Sequence, residues 1–108
     1  MADHILVVMA DPTEGQVDAF NTWYDTVHIP EMLTVPGVVA AQRYQAGPAL
    51  GQEPPRRFLA IYEVDGSLDD ALAAIGKAAP EFTMNPAFDA ASTLAYTFSP
   101  IGPRQVEK

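Results

Sequence analysis

No cysteine occurs in the 108 residues, which removes disulfide scaffolds, thiolate nucleophiles, zinc fingers and iron-sulfur clusters together. Basic residues are also scarce: Lys and Arg number 6 against 14 Asp and Glu, a net charge of -8, and no basic run exists. A nucleic-acid backbone therefore finds no electrostatic footprint here. The longest apolar run, Ile5 to Ala10, is far below the ~20 residues that span a bilayer. The N-terminus shows neither the basic start nor the long apolar stretch of a signal peptide. These absences lead to the expectation of a soluble, cytoplasmic protein with no membrane and no nucleic-acid partner. What is present is a globular composition, 48% hydrophobic and 19% charged, of a length that suits one domain.

The apolar pattern sets out six elements. His4 to Ala10 is short and rich in branched residues, as a strand buried on both faces would be. Val17, Phe20, Trp23, Tyr24 and Val27 recur at three- and four-residue steps and predict a helix from about Thr13 to His28, with Thr13 and Gln16 as its capping box. Pro30 should stop that helix near His28, leaving at most one further turn over Glu31 to Thr34 before Val35-Pro36-Gly37. Val38 to Gln45 alternates as a second strand, with Val39, Ala41, Arg43 and Gln45 on one face. Ala46 to Pro55 reads as a loop and Arg57 to Val64 as a third strand. Ser67, with Asp70 three residues on, opens a second helix whose stripe runs through Leu68, Ala71, Leu72, Ile75 and Ala78 to Pro80. Glu81 to Asp89 is an irregular connection, and Ser92 to Ser99 is a fourth strand.

This βαββαβ order predicts an α+β, ferredoxin-like domain over residues 1–100, a four-stranded antiparallel sheet with two helices on one face. Residues 101–108 follow as an extended polar tail. Strands one and three are apolar on both sides, yet two helices cover one face only. The cover expected for the other face is the same face of a second copy, a homodimer joined through its sheets.

The run Trp23-Tyr24-Asp25-Thr26-Val27-His28-Ile29-Pro30, followed by Val35-Pro36-Gly37-Val38 leading into a strand that carries Arg43 and Tyr44, resembles the EthD-like family of dimeric α+β barrels. The close match covers about a quarter of the chain. The resemblance implies a ferredoxin-like dimer with a pocket between helices and sheet in each subunit. It also groups the chain with cofactor-independent enzymes of cyclic or polyketide-like compounds, among them monooxygenases, cyclases, isomerases and lyases.

From the residues themselves, His28 is the natural proton carrier, because an imidazole titrates close to neutral pH. Asp25, three positions earlier, is placed to orient it. A helix end and a carboxylate would raise the His28 pKa, whereas burial among Trp23, Tyr24 and Met32 would lower it. The plainer alternative is that both residues merely help to end the helix. Trp23 and Tyr24 share a stripe wide enough for one to pack and the other to line a pocket. Tyr62 and Tyr96 are candidate donors to an oxyanion. Arg43 either holds a carboxylate or enolate oxygen or forms an ion pair with a residue such as Glu63. His4 faces either the pocket or solvent, and Met32 is a candidate wall. A metal is not expected, since Asp25 and His28 lack a third ligand.

The expected function is thus a cofactor-free enzyme that moves protons on a hydrophobic cyclic, aromatic or polyketide-like molecule. A non-catalytic carrier of such a molecule is the alternative. A haem-handling protein with a histidine axial ligand is a third and weaker one.

Overall fold

The computed structural model describes residues 2–108. Its elements are β1 (His4–Ala10), α1 (Val17–Trp23), a π-helical turn (Tyr24–His28), α2 (Ile29–Met32), β2 (Val38–Gln45), β3 (Phe58–Val64), α3 (Leu68–Ala78) and β4 (Leu94–Phe98). The four strands form one antiparallel sheet in the order β2-β3-β1-β4, the ferredoxin-like arrangement expected from the element order. The helices lie on one face of it. From Ser99 to Lys108 the chain has no helix or strand. Among the described residues no helix is long and apolar enough to cross a membrane.

Strand alternation divides the sheet into two different surfaces. In β3, Phe58, Ala60, Tyr62 and Val64 are buried toward the helices. Register then assigns Leu6, Val8 and Ala10 of β1 to the same side, opposite Tyr62, Ala60 and Phe58. The other face carries Ile5, Val7 and Met9 of β1, Leu59, Ile61 and Glu63 of β3, and Leu94, Tyr96 and Phe98 of β4. That outer surface carries Tyr44, Tyr96 and Phe98, about half exposed at 51%, 48% and 54%.

A β-bulge between Val38 and Ala40 alters the expected faces of β2. Val38 and Ala41 both sit opposite buried residues, Val64 and Tyr62, although an unbroken alternation would set them on opposite sides. Arg43 therefore lies on the helix side with Ala41, while Val39 is left exposed at 53% and does not share its face.

The first helix also departs from the expectation. It starts at Val17, after Gln16 with no side-chain cap, and the Thr13 hydroxyl is instead spent on the Pro86 carbonyl at 2.6 Å. Nor does it stop at His28. Pro30 has no N–H and its ring clashes with an α-helical carbonyl four residues back, so it would ordinarily kink or end the helix. Here the preceding turn widens: the Ile29 N–H reaches back five residues to the Tyr24 carbonyl, and α-helical bonding resumes with Leu33 N–H to Ile29 at 3.0 Å. The second helix behaves as its sequence implies. Ser67 Oγ accepts from the Asp70 N–H at 3.2 Å, and the α-helix ends at Ala78, with Pro80 in a following 3₁₀ turn.

Gly37 joins α2 to β2 at φ +95°, and a Cβ there would meet the Ala71 Cβ at 3.1 Å. Gly37→Ala is expected to cost about 1–3 kcal/mol in urea unfolding. Gly47→Ala, where nothing lies within 4 Å, should stay within about 0.5 kcal/mol of wild type.

Candidate active site

A π-helical register brings residues five apart onto one face, where an α-helix aligns residues three and four apart. The consequence at His28 is direct. Its ring stacks on Trp23, five positions earlier, with centroids 4.8 Å apart and planes 20° from parallel. Tyr24 presents its edge at 5.0 Å, Phe82 its edge at 5.9 Å, and Phe88 lies at 6.2 Å. The imidazole is thus held by an aromatic cage. Its Nδ1 is buried and has no hydrogen-bond partner among the described residues.

The same widened turn separates His28 from Asp25. Asp25 is not an orienting carboxylate for the histidine: its Oδ1 accepts from Arg43 Nη1 at 2.9 Å, and its side chain is 62% exposed. Arg43 accordingly does not pair with Glu63. Its other terminal nitrogen donates to Asn21 Oδ1 at 2.8 Å, and the guanidinium lies 4.5 Å from the Tyr24 ring centroid. The bulge in β2 is what turns Arg43 toward α1 and the π turn, where these partners are.

His28 opens onto a cavity of about 390 Å³ between the helices and the sheet. Leu6 and Val8 form its floor, Met32, Leu72 and Ile75 its helical walls, and Phe82 and Met84 its rim, with Tyr62 also in the lining. This volume and apolar lining are those of a small-molecule site. His28 is the only lining group, among the described residues, whose ordinary pKa lies near neutrality. Burial in these surroundings lowers its pKa, the charge of Glu31 opposing the shift, so the ring is mostly neutral at pH 7. The helix-end contribution expected at His28 does not arise, because the helix runs on to Met32.

The remaining expected site residues divide. Trp23, Met32 and Tyr62 gather around His28 and its cavity. Tyr24 packs behind the histidine beside Arg43, bordering a separate small void. Tyr96 is on the opposite, outer face of the sheet, because its register partner Val7 points there. His4 is at the far end of β1, where Nδ1 shares a 2.7 Å hydrogen bond with Ser99 Oγ. Neither Tyr96 nor His4 reaches the cavity. Among the described residues no three of His, Asp and Glu are grouped to hold a metal.

The segment after α3 supplies what sequence reasoning missed. Glu31 accepts from the Thr83 N–H at 3.0 Å and the Thr83 hydroxyl at 3.2 Å, and the Thr83 carbonyl accepts from Trp23 Nε1 at 2.7 Å. Thr13 pins the other end through its N–H to the Ala87 carbonyl at 2.7 Å. These bonds lay Phe82, Met84 and Phe88 over the site. The available signal was the presence of three large apolar residues in a stretch without periodicity, which a solvated loop would not carry.

No family model and no curated protein matches the chain by sequence. Solved structures do match by shape. An EthD-like protein from Ralstonia eutropha JMP134 superposes with TM-score 0.61 at 18% identity, covering 96% of this chain and 97% of its own. An EthD family protein from Bacillus halodurans C-125 gives 0.60 at 16% identity, over 94% and 100%. The haem degrader MhuD from Mycobacterium tuberculosis, with two haems in its active site, gives 0.61 at 14% identity, over 94% and 99%. The chain has the ferredoxin-like fold of these proteins.

The lowered His28 pKa has a stability consequence. The unfolded chain takes up the histidine proton near pH 6.5 and the folded chain only at lower pH, so the unfolded state gains as pH falls through that window. This contribution is complete above about pH 6.5 and is lost progressively below it. Chemical unfolding from pH 7.5 to 5 should show that decline in wild type and a shallower one in His28→Gln. Equal slopes would mean that the ring titrates normally in the fold.

Proposed function

We propose that the protein is an enzyme of the proton-transfer type, acting on a hydrophobic cyclic, aromatic or polyketide-like molecule bound in the cavity beside His28. The observation that carries this reading is a neutral imidazole in the wall of an otherwise apolar space of about 390 Å³. A base kept neutral by desolvation is ready to accept a proton at pH 7. In this mechanism a C–H adjacent to a ligand carbonyl faces His28. The ring takes the proton, the C–H electron pair moves into a new C=C bond, and charge builds on the carbonyl oxygen. Return of the proton from the imidazolium to another carbon is isomerisation, and attack by the carbanion on a second carbonyl is cyclisation. The apolar walls exclude water, which strengthens each electrostatic contact during the step. A degrading enzyme among the shared-fold structures, the haem degrader MhuD, supports the use of this architecture for chemistry on large cyclic molecules.

The protein is further proposed to work as a homodimer joined through the outer sheet surface. Half-exposed Tyr44, Tyr96 and Phe98 join the apolar side chains of β1 and β3 in one patch on that side. Because a two-fold axis meets that patch with itself, one charge inserted there appears twice in the interface. Sedimentation should show a dimer for wild type and a monomer for Phe98→Asp.

The base is tested with 1-tetralone, a fused-ring ketone, in D₂O. Wild type should exchange the protons next to the carbonyl for deuterium, seen by NMR, and His28→Ala should lose about 10²–10⁴-fold of that rate. Equal exchange by both proteins removes His28 from the mechanism.

A further inference from the structure

The cavity of about 390 Å³ has very little to offer a polar ligand. Tyr62 presents its ring there, but its hydroxyl is buried beside that of Tyr24 and out of reach. Every other lining side chain except His28 is a hydrocarbon or a thioether, from the floor at Leu6 and Val8 to Leu72 and Met84, which also reach the surface. His28 itself offers one atom. Its Nδ1 is sealed without a partner, whereas Nε2 is neither sealed in that way nor engaged in a hydrogen bond among the described residues. A nitrogen cut off from water and from any partner has nothing to exchange a proton with. Proton traffic in this cavity therefore runs through Nε2.

A single polar atom constrains the substrate. When a base removes a proton from the carbon beside a carbonyl, charge moves to the oxygen, and no second side chain of this lining stands ready to meet it. The cation at hand is the imidazolium just formed. Resting on the proton-transfer reading above, we propose that Nε2 serves carbon and oxygen in turn: the substrate is a fused-ring ketone with one oxygen, and His28 hands the proton it takes from the neighbouring carbon to that oxygen, giving the enol. The C–H bond breaks and its electron pair forms the C=C bond. The C=O π pair passes to the oxygen, and the proton carried by Nε2 forms the O–H bond. Only one atom separates that carbon from the oxygen, so a small movement of the ligand brings each to the same nitrogen. A hydroxyl elsewhere on the rings would lie against hydrocarbon and lose its hydration for nothing in return. The polyoxygenated members of the class named above are thereby excluded.

The probe is 1-naphthol, whose ring hydroxyl imitates the enol. In calorimetry it should bind wild type about tenfold more tightly than naphthalene does, and that gain should vanish in His28→Leu, which keeps the side-chain bulk. The 1,5-, 1,6- and 1,7-naphthalenediols set a second hydroxyl at different points of the wall, and at least two of them should bind about tenfold more weakly than 1-naphthol. Because 1-naphthol is a photoacid, excitation beyond the tryptophan band should give naphtholate emission in wild type. Neutral naphthol emission is expected in His28→Leu and in His28→Gln, which keeps a hydrogen-bonding group without a base. The diol series needs wild type alone, so it decides the matter even where a variant fails to fold. A hydroxyl that gains nothing over naphthalene, two or more diols that match 1-naphthol, or the same emission from all three proteins would overturn the single-nitrogen site. Deuterium exchange of 1-tetralone that depends on His28 would then still uphold the base. Failure of naphthalene and 1-naphthol alike to bind wild type would overturn the cavity reading and this inference with it.

Discussion

Pro30 brings no N–H to the helix it sits in, and its ring needs space that an α-helical carbonyl four residues back would fill. The turn from Tyr24 to His28 widens by one residue to accommodate it, and the site follows from that change. Trp23 and His28 come into register and stack, Asp25 rotates away from the histidine toward Arg43, and the helix continues to Met32 instead of ending. A histidine at a frayed helix end would be solvated and inclined to carry a charge. Within a continuous helix, caged by Trp23, Tyr24, Phe82 and Phe88, it is largely buried and its pKa is lowered.

The sheet contributes the same kind of division on a larger scale. One strand, β3, sends Tyr62 into the helix side and Ile61 to the outer side, so adjacent residues border the cavity beside His28 and a candidate subunit interface. A single bulge in β2 decides which surface receives Arg43. On the helix side its charge meets Asp25 and Asn21 and backs the two phenols. On the outer side it would have interrupted an apolar patch. Thus the Arg43 ion pair lies on the helix side of the sheet, and the half-exposed aromatic residues Tyr44, Tyr96 and Phe98 lie on the other.

The segment from Phe82 to Phe88 completes the enclosure without forming an element of its own. Glu31, Trp23 and Thr13 satisfy its backbone by long-range hydrogen bonds, which lets an irregular stretch hold three large apolar residues over a cavity. Glu31 therefore acts twice, as the clamp on Thr83 and as the charge that opposes the desolvation of His28.

Sequence by itself determined the element order, the ferredoxin-like class, the cap at Ser67 and the apolar outer surface, and it singled out His28 as the candidate base, because these depend on local periodicity, on capping chemistry and on the rarity of one residue type. It also found Trp23, Met32 and Tyr62 as neighbours of the site. Only the tertiary structure decided the rest. The π turn and the β2 bulge each shift the register by one residue, and a one-residue shift reassigns every side chain that follows while leaving the composition of the segment unchanged. That is why sequence spacing pairs Asp25 with His28 and alternation sets Val39 beside Arg43, while the fold does neither. Tyr96 and Tyr62 look alike in sequence, alternating on apolar strands, and only strand pairing sets them on opposite faces. The protonation of His28 belongs to the same class, since desolvation depends on what packs around a ring, and Phe82 and Phe88 reach it from more than fifty residues away.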